Sequence, residues 1–175
     1  MAQLILTAVG NDRPGLVGEL TGHLHSAGAN ILDTRMVNLR GRFAVLILLE
    51  APELEPIKRN FPAAADRMGL SVHMTEHGVG KGGPPKAGGG MPFRLKTYSL
   101  DQPGLVHRVT EVLRDYGVNI EDLTARQEST AFAGEALFIM DLKLTVPATA
   151  AIRKLRADLE AVCEKVNADL DLEQA

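Results

Sequence analysis

Asp12-Arg13-Pro14-Gly15-Leu16-Val17 returns later in the chain as Asp101-Gln102-Pro103-Gly104-Leu105-Val106. Gly28-Ala29-Asn30-Ile31-Leu32-Asp33 returns as Gly117-Val118-Asn119-Ile120-Glu121-Asp122, at the same offset of 89 residues. One offset held over more than twenty positions marks a single structural unit present twice. The residues that recur are mostly those that turn a chain or start a helix. Each unit therefore carries the same loop, and a loop kept in both copies points to a shared task.

Ahead of the first loop, Gln3 to Val9 is short and apolar and ends at Gly10-Asn11-Asp12, the pattern of a strand. Behind it, Leu16, Val17, Leu20 and Leu24 fall on one stripe at helical spacing. Pro14 to Ala27 thus reads as a helix, with Pro14 in its first turn and Gly28 as a left-handed cap. Asn30 to Leu39 and Phe43 to Glu50 read as strands joined by the turn Arg40-Gly41-Arg42. Glu53 to Met68 reads as a helix in spite of Pro62, and Leu70 to His77 as a strand. The second copy repeats this order: strand Phe93–Leu100, helix Pro103–Tyr116, strands Asn119–Gln127 and Glu135–Val146, helix Ala148–Val166 and strand Asp169–Glu173.

The order β-α-β-β-α-β builds a four-stranded antiparallel sheet with both helices on one side, the ferredoxin-like arrangement of the α+β class. The sequence thus predicts two such domains in tandem, 1–77 and 92–175. A Gly- and Pro-rich linker, 78–91, joins them and is too poor in apolar residues to bury a face. Its Gly80-Lys81-Gly82 lacks the spacing and flanks of a phosphate loop.

The copies differ in two places. From Phe43 and Phe138 onward the offset becomes 95, so the second hairpin is longer by six residues, around Glu128 to Gly134. The third strand of the first copy carries Ala44, Leu46 and Leu48 on its second face, where the other copy has Ile139, Asp141 and Lys143. A strand apolar on both sides is expected to be covered on both sides, so the first sheet should pack against another surface. The second sheet should be at least partly wet.

Composition bounds the function. The chain has 175 residues, 45% hydrophobic and 23% charged, with a net charge of -3. Residues 1–77 carry -1 and residues 92–175 carry -4, so neither half has the basic excess that binding a phosphate backbone needs. No direct nucleic-acid partner is expected. One cysteine, Cys163, allows no internal disulfide and fits a reducing, cytoplasmic setting. No apolar run is long enough to cross a membrane, and the N-terminus lacks the charged start of a signal peptide. His23 and His25 diverge on a helix, while His73 and His77 lie about 13 Å apart on a strand, so no metal site is read. No catalytic constellation stands out, and no cofactor is implied. Aromatic residues, at 4%, are too few for an RNA-stacking sheet.

The recurring loop has chemistry of its own. A strand-to-helix junction aims free backbone N–H groups at whatever lies before the helix, which favours a carboxylate. Gly15 and Gly104 let a small ligand approach the backbone. Asn30 and Asn119 each offer a donor and an acceptor at the start of the next strand. Together these groups suit the two ends of an amino-acid zwitterion. The plainer alternative is structural: Asp12 and Asp101 as helix N-caps, and the asparagines as turn formers.

At these residues the sequence resembles the ACT domain family, small regulatory modules of amino-acid metabolism marked by a D-x-P-G-[LIV] turn followed, one helix later, by G-[VA]-N-I. Both copies carry both parts. The tandem arrangement is similar to the glycine cleavage system transcriptional repressor family, which is thought to act through a partner regulator protein. The resemblance implies ligand contacts at Asn11, Asp12, Gly15, Leu16, Val17, Asn30 and Ile31. In the second copy it implies Asp101, Gly104, Leu105, Val106, Asn119 and Ile120, with Leu100 standing where the first has Asn11. It further implies a small amino acid, glycine or serine, held between ACT units of a homodimer. The reading is therefore a non-enzymatic, cytoplasmic, amino-acid-sensing regulator. The alternatives are a detached regulatory subunit of a biosynthetic enzyme and an interaction module without a ligand.

Overall fold

A computed structural model describes residues 1–78, 89–100, 103–129 and 136–175. The chain divides into two compact units, Met1–Gly83 and Pro84–Ala175. The first runs β1 (Ala2–Asn11), α1 (Leu16–Ser26), β2 (Asn30–Leu39), β3 (Arg42–Ala51), α2 (Glu55–Arg67) and β4 (Leu70–His77). The second runs β5 (Met91–Leu100), α3 (Leu105–Asp115), β6 (Asn119–Ser129), β7 (Ala136–Val146), α4 (Ile152–Glu164) and β8 (Asp169–Gln174). Strand orders are β2-β3-β1-β4 and β6-β7-β5-β8, with every pair antiparallel. Both units are the expected α+β, ferredoxin-like βαββαβ fold.

Alternation decides which side of each strand is buried. Leu4, Leu6 and Ala8 of β1 and Phe43, Val45, Ile47 and Leu49 of β3 point inward. Against them lie Leu16, Leu20 and Leu24 of α1 and Ile57, Phe61 and Ala65 of α2. The second unit builds the same layer from Phe93, Leu95, Met140, Leu142 and Leu144 under Val109, Leu113, Leu155 and Leu159. The β2–β3 hairpin turns through Arg40 and Gly41, with φ of 51° and 84°, the paired positive φ that a twisted two-residue hairpin requires.

Several expectations need correction. Asp12 is not the cap of α1. Gly15 holds that place at φ 84°, with no side-chain hydrogen bond to the helix, and Pro14 lies outside the helix rather than in its first turn. The Asp12 carboxylate accepts from the Asn38 side chain instead. Helix α4 starts at Ile152 rather than at Ala148, because Pro147 to Ala150 closes a turn with the Ala150 N–H donating to the Pro147 carbonyl at 2.9 Å. Neither α1 nor α2 covers the outer face of β3. Leu46 is 46% exposed there, since both helices lie on the other side of the sheet. Asp101, the core of the linker and the extra length of the second hairpin lie outside the described residues.

Candidate functional site

The strand registers fix where the recurring groups fall. Asn30 is level with Glu50, which is level with Gln3; Leu39 is level with Arg42, which is level with Asn11. Asn30 and the Asn11–Asp12 turn therefore lie at opposite ends of one sheet. Eight residue steps at about 3.3 Å separate them by about 26 Å. A single unit does not bring them together around one small molecule. The same holds in the second unit, where Asn119 is level with Thr145 at the far end of β7 from Leu137 and Leu100.

At the turn, the Asp12 carboxylate accepts a hydrogen bond from the Asn38 side chain of β2, and the Asp12 N–H donates to the Gly41 carbonyl at 2.9 Å. Asn11 accepts from Arg42. The carboxylate is thus drawn toward the hairpin end of β2. Arg13 and Glu19 bridge the loop and α1 at 2.6 Å, and this contact raises the Arg13 pKa and lowers that of Glu19. Among the described residues the Val17 and Gly18 N–H groups find no acceptor. The first turn of α1 therefore keeps donors open to an anion. Leu16 and Leu105 are buried in the two cores and support the turn from beneath. Val17 is exposed and Val106 half-buried; Gly104, at φ 89°, repeats the uncapped start of Gly15.

At the other end, Asn30 and Ile31 line a cleft of about 460 Å³ between β2 and α1, with Gly18, Thr21, Gly22, His25 and Ala29. The Asn30 amide donates to the Glu50 carboxylate at 3.2 Å, which leaves its carbonyl oxygen to accept. Gly18 and Gly22 stand one helical turn apart, and a Cβ added at either meets nothing within 4 Å. Two helix-interior glycines cost about 1 kcal/mol each relative to alanine, and here they clear a wall of the cleft. Sequence reasoning missed them, although the i, i+4 glycine pair inside an amphipathic stripe was the signal. In the second unit the matching positions are His107 and Glu111, whose side chains approach to 3.6 Å over the same ground. Ile120 still packs on the core, while Asn119 donates to Glu121 at 2.7 Å.

A second groove, of about 540 Å³, separates α3 from α4. There the Tyr116 hydroxyl donates to Asp158 at 2.5 Å, and that bond pushes the phenol up to about 12. Its first-unit counterpart, about 380 Å³, holds His23, Asn60 and Phe61 instead. Cys163 is buried, and burial raises its thiol to about 11. Among the described residues no cluster of His, Cys, Asp or Glu could hold a metal ion, and no helix is long and apolar enough to cross a membrane.

Residues 2–75 and 93–160 each match the ACT domain family, so the chain belongs to that family, with two domains in tandem. It is 27% identical over 169 residues to the glycine cleavage system transcriptional repressor of Escherichia coli, covering 94% of this chain and 86% of that one. A UPF0237 protein of Methanosarcina mazei is 32% identical over 78 residues, covering 45% of this chain and 79% of that one. A crystal structure of an unknown protein from Galdieria sulphuraria superposes with a TM-score of 0.82 at 26% identity, covering 99% of this chain and 98% of that one. The chain is thus an ACT-domain regulatory protein related to the glycine cleavage repressor.

Proposed function

We propose that this protein is a non-enzymatic, cytoplasmic sensor of a small amino acid. It would control glycine cleavage or related amino-acid metabolism through a partner regulator. The observation that carries this reading is the open donor set at the start of α1 together with the Asn30 cleft. The turn suits a carboxylate. The Asn30 carbonyl and the Asp12 carboxylate suit an ammonium group.

The separation of about 26 Å within a unit dictates how these groups would meet. Edge strand β2 leaves one row of backbone groups unpaired, the usual template for strand addition. If two copies pair antiparallel along β2, about its middle, Asn30 of one comes level with Leu39 of the other. Leu39 adjoins Asn38, which holds Asp12. One copy then supplies the turn and the other the cleft, as a homodimer with the ligand at its junction. A ligand that bridges the copies favours the paired state, which gives the response a physical basis.

A thermal-shift screen against the twenty amino acids tests this. Glycine or serine at about 100 times its Kd should add roughly 2.7 kcal/mol to stability, and Asn30→Ala should remove the shift. No shift from any amino acid at millimolar levels would defeat the sensor reading. Affinity capture from a lysate should recover a DNA-binding regulator; recovery of a biosynthetic enzyme would instead favour a detached regulatory subunit.

A further inference from the structure

The side of the first sheet away from α1 and α2 carries a contiguous apolar strip. Cross-strand rows build it: Val37, Ala44 and Val9 in one, Arg35, Leu46 and Thr7 in the next, Asp33, Leu48 and Ile5 in the third. Leu39 extends the strip at the hairpin end. Val9, Val37, Leu39 and Leu46 are all between 46% and 65% exposed. Single exposed apolar residues are ordinary on a protein surface. A contiguous strip of them marks a site of contact.

We propose that this face docks against the same face of a second copy of the chain. Size supports a copy. Four strands spaced by about 4.8 Å, each roughly 30 Å long, offer about 600 Å² per partner, or about 1,200 Å² in all, when the polar row Ser71, His73, Thr75 and His77 of β4 joins the apolar strip as its rim. That reaches the lower bound of a specific interface. Charge supports it too. A two-fold contact sets a surface against itself, so any net charge on it repels. The charged residues on this face are two acids, Asp33 and Glu50, and two bases, Arg35 and Arg42, so the face carries no formal net charge when its histidines are neutral. A strongly acidic or basic partner has nothing to match.

The corresponding face of the second unit is a poor complement. It carries Arg94, Lys96, Asp141 and Lys143. Arg94 bonds Asp141 at 2.6 Å, and Lys143 lies 3.7 Å from Asp122. Pressing those ion pairs onto an apolar strip would strip their water without new partners. The contact uses side chains of the sheet face, whereas pairing along β2 uses a strand edge, so the two associations are independent. This inference does not rest on the sensor reading.

Sedimentation equilibrium of the full chain tests it. Leu46→Asp is expected to halve the particle mass while the circular dichroism spectrum stays unchanged. Lys143→Ala, on the second unit's face, is expected to leave the mass as it was. Val9→Lys, on the same face but on β1 and away from the β2 edge, gives the same halving if Leu46→Asp fails to fold. A wild-type chain that sediments as a monomer overturns the proposal. So does a mass that neither variant changes, whether the face is then bare or covered by another part of the chain. A failed amino-acid screen leaves the mass result standing, so the two readings fail separately.

Discussion

The two units share a backbone plan and divide their chemistry in opposite ways. The first has an inner face free of buried hydroxyls, with Ala8 and Gly10, and an outer face that is apolar. The second puts Thr97 and Ser99 at those two inner positions, buried and without a hydrogen-bond partner for either hydroxyl, and covers its outer face with ion pairs. The first unit opens a cleft beside Gly18 and Gly22 where the second lays His107 and Glu111. Inner positions are held by packing density, so Ala8 and Gly10 change only to the small residues Thr97 and Ser99. Outer positions are released by duplication and can take on separate tasks. Cleft and sticky face both lie in the first unit, which is where ligand and partner binding are best sought.

The comparison breaks most sharply at Gly10 and Ser99. A Cβ on Gly10 would sit 2.4 Å from the Gly69 carbonyl oxygen, a backbone atom that cannot move alone. In the second unit β8 begins at Asp169, level with Tyr98, so no β8 partner lies level with Ser99. Gly10→Ala should therefore destabilise the first unit by about 3 kcal/mol. Ser99→Ala should be neutral or stabilising. Urea denaturation of each variant decides, and a Gly10→Ala loss under half a kcal/mol would mean the two strand ends are equally roomy.

Thr97→Val tests the core difference. It replaces an unpartnered buried hydroxyl with a methyl of similar shape, so the second unit should gain about 1–2 kcal/mol. An equal loss would mean that the hydroxyl has a partner, such as a buried water.

Gly22 separates stability from response. Gly22→Ala should raise stability by about 1 kcal/mol through the helix. Gly22→Glu, which copies the second unit, should fill the cleft and abolish any amino-acid-induced thermal shift. A full response from Gly22→Glu would move the site elsewhere.

The smallest effect concerns the ion pair on the second sheet. Arg94, through its hydrogen bond and its charge, holds the Asp141 carboxyl below its ordinary pKa. A carboxyl depressed in the folded state stabilises above its unfolded pKa and loses that contribution as pH falls through the folded one. Arg94→Ala should cost little at neutral pH, because solvent reaches the pair and screens it. The difference from wild type should vanish in strong acid. A pH titration of the melting temperature measures it, and a gap that persists at low pH would point to packing by the Arg94 stem.

Much of the fold is legible along the chain. The stripe on α1 and the caps at Gly28 and Gly69 depend on neighbours a few residues away, and they form as read except that Val17, placed on the stripe with Leu16, Leu20 and Leu24, is 46% exposed. Asn167, at φ 47°, is the counterpart of Gly69 and is harder to see, since asparagine tolerates the left-handed region less openly than glycine announces it. The candidate site was legible only as residue types. That Asp12 is held by Asn38, 26 positions away, and that Gly18 and Gly22 open onto Asn30, follow from contacts across the sheet.

The sequence by itself determined that one βαββαβ unit occurs twice, which residues face inward, and which loops recur, because periodicity, capping and turn chemistry act locally. Only the tertiary structure decided that the turn and Asn30 stand at opposite ends of a sheet, and that Arg94 reaches Asp141 across the second sheet. Strand direction and register arise from pairing between distant segments, and no local pattern carries that information.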